Sequence, residues 1–375
     1  MPIIRVAVAG ALALLVTVSA LVTSRADRTH HGFGAPLTVM TRNVFLGTNI
    51  FPVFDAATAP EARRRQVDVT AHAMHEARDN VDKTAYRVRA RLIAGEIAAA
   101  EPDLVGLQEV ALWRSGPLET RRVGVPNATA VDLDFLEILL ADLTATGHRY
   151  RVVNQISEMD MEFASYGSRG RAGARDVRLT LRDVVLMRQG DDLTVVDRGR
   201  GHFTARRTMH LPGRVVDFTR GHAWVDVERA GHRFRFIATH LEVGDPRVSN
   251  NQVRELVTGP AATHGPVVVV CDCNTDPDAG RRSMPYRAIT GAGFADAWHR
   301  LPEAGPGHTC CTTSGLRDTR PGVMDHRLDF VFVRARRGFT ITQGAVLGGT
   351  TDDRDTATGL WPSDHAGLVV TVRDR

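Results

Sequence analysis

Six times along the chain an acid, amide or imidazole stands at the end of a short apolar run. Asn43 closes 37–42, Glu109 follows 104–107 and His240 follows Phe236-Ile237-Ala238-Thr239. Asp272 and Asn274 follow Val267-Val268-Val269-Val270, Asp329 opens Phe330-Val331-Phe332-Val333, and Ser363-Asp364-His365 precedes 366–372. Each placement has a local explanation as a cap, a turn residue or a satisfied core histidine. Six such groups together would be costly to bury unless they converge on something. Convergent carboxylates, amides and imidazoles are what a hard divalent cation and a phosphoryl group require. Asp364-His365 sets a hard oxygen ligand beside the side chain that titrates nearest neutral pH.

Within Cys271-Asp272-Cys273-Asn274, strand side chains alternate, so Asp272 and Asn274 share one face and both cysteines take the other. With Cys310 and Cys311 the chain has four cysteines, spaced C-x-C and C-C. These spacings suit a zinc site poorly, and neighbouring histidines such as His308 do not complete one. One disulfide joining the two pairs and buried free thiols both remain open readings.

The elements that must position these groups are legible as periodicity. Strands are expected at 149–156, 183–188, 193–197, 222–228, 233–239, 266–271, 328–333 and 366–372, besides those at 37–43 and 104–107. Residues 61–100 read as two helices broken near 79–82 and stopped by Pro102, and 131–146 as a helix closed by Gly147. Helices early and strands throughout predict a mixed sheet system with helices packed outside. Segments 165–182 and 199–221 read as long, arginine-rich loops. Arg182-Asp183 opens a strand beside Arg169, Arg171, Arg175 and Arg178, either an anion patch or a solvated loop. Trp113, Trp224, Trp298 and Trp361 are scattered, which fits core or rim positions better than a stacking platform.

The ordered blocks Thr41-Arg42-Asn43, Asp103 to Val110, Ala238-Thr239-His240-Leu241-Glu242, Cys271-Asp272-Cys273-Asn274, Leu328 to Phe332 and Ser363-Asp364-His365 resemble the endonuclease/exonuclease/phosphatase (DNase I-like) superfamily. The likeness is nearest to its secreted bacterial members. One departure is Cys271-Asp272-Cys273-Asn274, where the family usually has Gly-Asp-Phe/Met-Asn; the polar pair survives. The resemblance implies a four-layer α/β sandwich, two mixed β-sheets packed face to face with helices outside. It implies one Mg²⁺ (or Mn²⁺) held chiefly by Glu109, with Asn43 and Asp364 close by. Asp329 would orient His365, which acts as general base or partner to the attacking water. Asp272 would position or deprotonate that water, and Asn274 and His240 would hydrogen-bond the phosphoryl oxygens. In-line water attack without a covalent intermediate follows from the same resemblance.

Composition bounds the partners. Of 375 residues 43% are hydrophobic and 24% charged, values of a soluble protein with a sizeable core. The net charge of +4 rests almost wholly on arginine, with Lys83 the one lysine, and does not imply polynucleotide binding. Arg5, the apolar or small run 6–22 and cleavage options after Ala20 or Ala26 read as a signal peptide over 1–26, or as an uncleaved anchor. Residues 27–36 form a flexible lead-in, and 37–375 one catalytic domain. The expectation is thus a secreted, metal-dependent phosphoesterase acting on a nucleic acid, a phospholipid head group or a small phosphoester. It is monomeric, with no protein partner and at most peripheral membrane contact. Sphingomyelinase-like and DNase-like activities are the alternatives, with a non-catalytic binding module behind them. The chain lacks the aromatic hairpin of a membrane-inserting sphingomyelinase and the lysine-rich signatures of inositol 5-phosphatases.

Overall fold

The computed structural model describes residues 30–58, 62–119, 121, 125–167, 170–190, 192–211, 214–302 and 304–375. The expected signal segment, the start of the lead-in and Arg169 lie outside the described residues, as does the side chain of Arg171.

The elements run β1 (His30–His31), β2 (Leu37–Asn43), α1 (Phe51–Thr58), α2 (Ala62–Lys83), α3 (Tyr86–Ala100), β3 (Leu104–Gln108), β4 (Leu112–Pro117), β5 (Ala130–Asp134) and α4 (Phe135–Ala145). There follow β6 (Tyr150–Gly167), β7 (Gly170–Arg188), β8 (Thr194–His202), β9 (Arg207–Leu211), β10 (Arg214–Phe218), β11 (Gly221–Arg229), β12 (His232–His240) and α5 (Pro246–Thr258). The chain ends with β13 (Val267–Asp272), α6 (Met284–Gly291), β14 (Ala295–Asp296), β15 (Asp329–Arg334), β16 (Phe339–Leu347) and β17 (Gly367–Asp374). One sheet has the order β14-β15-β13-β12-β11-β8, with β1 also on β12; the other has β16-β17-β2-β3-β7-β4-β5, with β6 also on β7. Both are mixed, since β12–β13 and β2–β3 are parallel and their other long pairings antiparallel.

Alternation sorts each strand between two cores. Val39, Leu104, Val185, Phe236, Val268, Val270, Val331 and Val370 fill the space between the sheets. Met40, Val105, Leu107 and Val184 face α1 to α4, while Ile237, Val269, Phe330 and Phe332 face α5 and α6. The result is the four-layer α/β sandwich. At Gly106 the sheets approach so closely that a Cβ would lie 2.3 Å from Val270 Cγ2, so the turn of the inter-sheet core beneath the strand ends depends on a residue without one.

Four readings from the sequence are corrected. Residues 165–167 and 170–182 are strand rather than loop, because Val177, Leu179 and Leu181 alternate inward between Arg178, Thr180 and Arg182. Segment 199–221 holds β9, β10 and parts of β8 and β11. The helical break falls at Thr84-Ala85 rather than at 79–82, with Ala85 in the left-handed region at φ 39°. The helix expected over 131–146 starts only at Phe135, because the Asp134 side chain accepts from the Leu136 and Glu137 amides as its N-cap.

Candidate active site

The strand faces that fill the inter-sheet core turn polar together at one end. Continuing two residues at a time from Val39, Phe236, Val270 and Val331 leads to Asn43, His240, Asp272 and Asp329, all buried. β12 and β13 are in register, so His240 lies opposite Asp272, and Asp272 lies opposite Asp329 on β15. The site is therefore the polar cap of a hydrophobic layer, and its precision comes from sheet register.

Asp272 is the hub. Its Oδ2 accepts from Asn43 Nδ2 at 2.9 Å and lies 3.4 Å from His240 Nε2 and 3.7 Å from His365 Nε2. Its Oδ1 accepts from the Asn274 amide at 3.0 Å. Burial pushes this carboxyl up to about 7; Asp329 adds to the rise, while His365 and the donors of Asn43 and Asn274 oppose it. His365 Nδ1 donates to Asp329 Oδ2 at 2.8 Å. Burial alone would lower the imidazole, but the carboxylates of Asp329 and Asp272 hold it well above its ordinary value. His240 goes the other way. Burial, Arg220 and His365 keep it well below the usual range, hence neutral. Arg220 Nη1 donates to His240 Nδ1 at 2.9 Å, which leaves the imidazole proton on Nε2, facing Asp272. Asn274 Nδ2 lies 3.0 Å from that nitrogen and donates to Leu241 O at 2.9 Å.

Glu109 and Asp364 stand at the rim, half-buried. Glu109 (φ 58°), Asn274 (φ 46°) and Phe45 (φ 57°) are in the left-handed region, a strained choice for side chains with a Cβ and one that clusters at functional sites. At Glu109 the kink is held from both sides, by Val44 N to Gln108 O at 3.0 Å and Val110 N to Arg182 O at 2.9 Å. Glu109 Oε2 accepts from Leu46 N at 2.9 Å, and Asn43 Oδ1 from Phe45 N at 2.9 Å. Burial pushes Asp364 up to about 6; His365 and Arg89 pull it down and the charge of Glu109 opposes ionisation. Two hard anionic donors that repel each other beside an amide oxygen suit a divalent cation, so Asn43, Glu109 and Asp364 fit the Mg²⁺ (or Mn²⁺) set the resemblance implies.

Five further residues belong to this site, none singled out by sequence as part of it. Arg42 Nη1 donates to His365 O, with Glu96 behind it at 3.0 Å. Arg89, fully buried, donates to Val44 O, Phe45 O, Thr84 O and Pro362 O. Arg220 fixes the His240 tautomer. Asp183 extends the inner face of β7 and is buried against Glu158. Burial pushes Asp183 up to about 8 and Glu158 well above its ordinary value, with Arg220 opposing both and Asp272 and Glu109 adding to the rise at Asp183. A carboxyl raised from 3.8 to about 8 stabilises the fold most below its unfolded value, and that contribution disappears as pH rises through about 8. The melting temperature of the protein should fall by several degrees more than that of Asp183→Asn as pH is raised from about 4 to about 8, with the difference levelling off above 8. Parallel curves in differential scanning calorimetry would remove the buried proton.

Arg182 and Arg178 do not form an anion patch. Arg182 donates to Asp134 Oδ1 at 2.5 Å and to Val110 O at 3.1 Å, and Arg178 Nε donates to Asp160 Oδ1 at 2.8 Å. Trp113, Trp298 and Trp361 are buried and Trp224 is half-buried. The cysteines are corrected too: Cys271 pairs with Cys273 and Cys310 with Cys311, each pair closed within itself, and none is free. Cys271 and Cys273 lie in the core under α5 and α6, away from the site.

No protein-family model matches the chain, and no curated protein does. Solved structures do. An endonuclease/exonuclease/phosphatase family protein from Leptotrichia buccalis is 13% identical over 90% of this chain and 99% of its own, with a TM-score of 0.53. Another from Bacteroides thetaiotaomicron is 15% identical over 91% and 98%, at 0.52. A mannosyl-6-phosphatase from the same species is 16% identical over 90% and 99%, at 0.50. The chain has the fold of endonuclease/exonuclease/phosphatase family proteins.

Proposed function

We propose that this protein is a divalent-metal-dependent phosphoesterase that cleaves its substrate by direct attack of water. The observation that carries the reading is the division of labour around Asp272. A carboxyl near 7 is poised to take a proton at neutral pH, beside an imidazole held protonated and another held neutral. Asp272 removes the proton of the attacking water. His365, oriented by Asp329, presents positive charge where the phosphoryl oxygens gain negative charge. His240 Nε2–H and the Asn274 amide add neutral donors, with Arg220 keeping His240 in the donating tautomer. Mg²⁺ or Mn²⁺, held by Asn43, Glu109 and Asp364, supplies Lewis-acid stabilisation of phosphoryl and leaving-group charge when bound. Of the two roles the sequence left open for His365 and Asp272, the proposal gives the base to Asp272, supported by its raised carboxyl.

A phosphate ester is the substrate class, in keeping with a sugar phosphatase of the same fold. Export belongs to the same proposal, supported by the apolar segment 6–22 and by cysteines that are all paired, as in oxidising compartments. The test is hydrolysis of chromogenic phosphomonoesters and phosphodiesters. EDTA is expected to abolish turnover and Mg²⁺ or Mn²⁺ to restore it. A protein inert toward every phosphate ester of a broad panel with either ion present would overturn the reading.

A further inference from the structure

The segment 309–312 pairs with the backbone around His365. Its backbone is tied on both sides, by Cys310 N to His326 O at 3.0 Å, Thr312 N to Asp364 O at 3.1 Å and Ala366 N to Thr309 O at 2.7 Å. This lacing puts Cys310 Sγ 3.5 Å and Cys311 Sγ 4.0 Å from His365 Nε2. Cys310 is fully buried, while Cys311 is exposed and open to reagents. The three donor atoms lie within 4.8 Å of one another.

We infer that Cys310, Cys311 and His365 form a binding site for a soft divalent cation of the zinc class, closed when the cysteines are joined and open when they are reduced. Zinc bonds of about 2.3 Å to sulfur and 2.0–2.1 Å to nitrogen place two tetrahedral ligands ~3.6 Å apart, the spacing already present between Cys310 Sγ and His365 Nε2. His365 is also oriented as a ligating histidine is, its Nδ1–H donated to the Asp329 carboxylate and its Nε2 turned to the sulfurs. Two thiolates and one imidazole select a soft cation over Mg²⁺, which prefers oxygen donors. The spacing C-C alone concealed this, because its third donor arrives from 54 residues away in sequence.

The chemistry balances. A dithiol reductant breaks the Cys310–Cys311 bond, supplying two electrons and two protons and leaving as its own cyclic disulfide. The cation then takes two thiolates and the imidazole nitrogen, releasing the thiol protons and any proton on Nε2. With Nε2 occupied, His365 can no longer face a substrate. That consequence rests on the phosphoesterase reading, but the site itself does not.

The probe is Cd²⁺, whose thiolate charge-transfer band in the ultraviolet reports sulfur ligation independently of activity. Full-length protein reduced with dithiothreitol, desalted and held in excess Mg²⁺ is expected to bind one Cd²⁺ with that band, and unreduced protein none. The double variant Cys310→Ser/Cys311→Ser keeps Cys271 and Cys273 and should lose the band, with its melting curve as the folding control. His365→Asn should keep the band with at least tenfold weaker affinity. A band that survives in the double variant, or an affinity indifferent to His365, would overturn the site. If Cd²⁺ binds with full signal yet leaves turnover intact, the claim on His365 fails and the phosphoesterase reading stands. A chain without turnover would leave the band to decide the site alone.

Discussion

Asp272→Asn is expected to lower turnover of a phosphate ester by about 10²–10⁴-fold, the span of a lost general base, while leaving the fold as stable or more so. The near-isosteric amide can keep its oxygen on the Asn274 N–H, while its NH2 meets Asn43 Nδ2 where Oδ2 had accepted. One hydrogen bond is lost, and near neutral pH that loss is offset by the ionisation cost the amide removes. What disappears is the proton acceptor. Stability should move the other way, since a carboxyl raised from 3.8 to about 7 contributes stability below its unfolded value and loses it as pH rises through 7. Near neutral pH the amide removes the cost of ionising a buried group beside Asp329. In the native protein, activity should climb with pH toward about 7 as Asp272 ionises, and in the variant that acid limb should vanish from the residual rate. Steady-state kinetics across pH, paired with urea denaturation, separates the two effects. A variant that kept its acid limb would move the base elsewhere, and one that lost stability along with activity would make Asp272 a structural residue.

The residues of this cluster were legible because they stand where apolar strands stop. Period-two alternation carries side chains to one of two faces, and a polar residue in phase with a buried face has nowhere to go but the end of the core. Asn43, His240, Asp272 and Asp329 follow that rule. So does Asp183, which precedes Val184-Val185-Leu186-Met187 as plainly as any of them, and pairing it with Arg182 beside the basic loop concealed it. The same charge density hid the strand, since the alternation of Val177, Leu179 and Leu181 was already strand-like. Arg42, Arg89 and Arg220 left no local signal in a chain that uses arginine almost everywhere a cation is needed. Their roles are set by which carbonyls fold around them. Nor does spacing say which way a cysteine pair closes, or that His365 folds against one.

Arg89 carries the second large effect. Its guanidinium donates to Thr84 O at 2.8 Å, Val44 O at 2.7 Å, Pro362 O at 3.0 Å and Phe45 O at 3.1 Å, and lies over the rings of Tyr86 and Phe45. Among the described residues no carboxylate comes within ion-pair distance of it, so carbonyl dipoles and aromatic faces hold the charge. Burial lowers its pKa only to about 10, which keeps it charged at neutral pH. Val44 and Phe45 follow Asn43, and Pro362 precedes Ser363-Asp364-His365; one side chain thus clamps the two loops that bring the metal-ligand candidates and His365 together. Arg89→Met preserves bulk but orphans four buried carbonyls. At ~1–3 kcal/mol for each unsatisfied group, and less than additively, the loss should be about 4–5 kcal/mol. Arg89→Lys should recover only part of it, because an ammonium offers three donors from one point and cannot span the fork. Urea denaturation measures both, and Arg89→Met should also lose turnover, because Asp364 and Asn43 would no longer share a fixed frame. A midpoint for Arg89→Met close to that of the native protein would mean the loops are held by strand register alone.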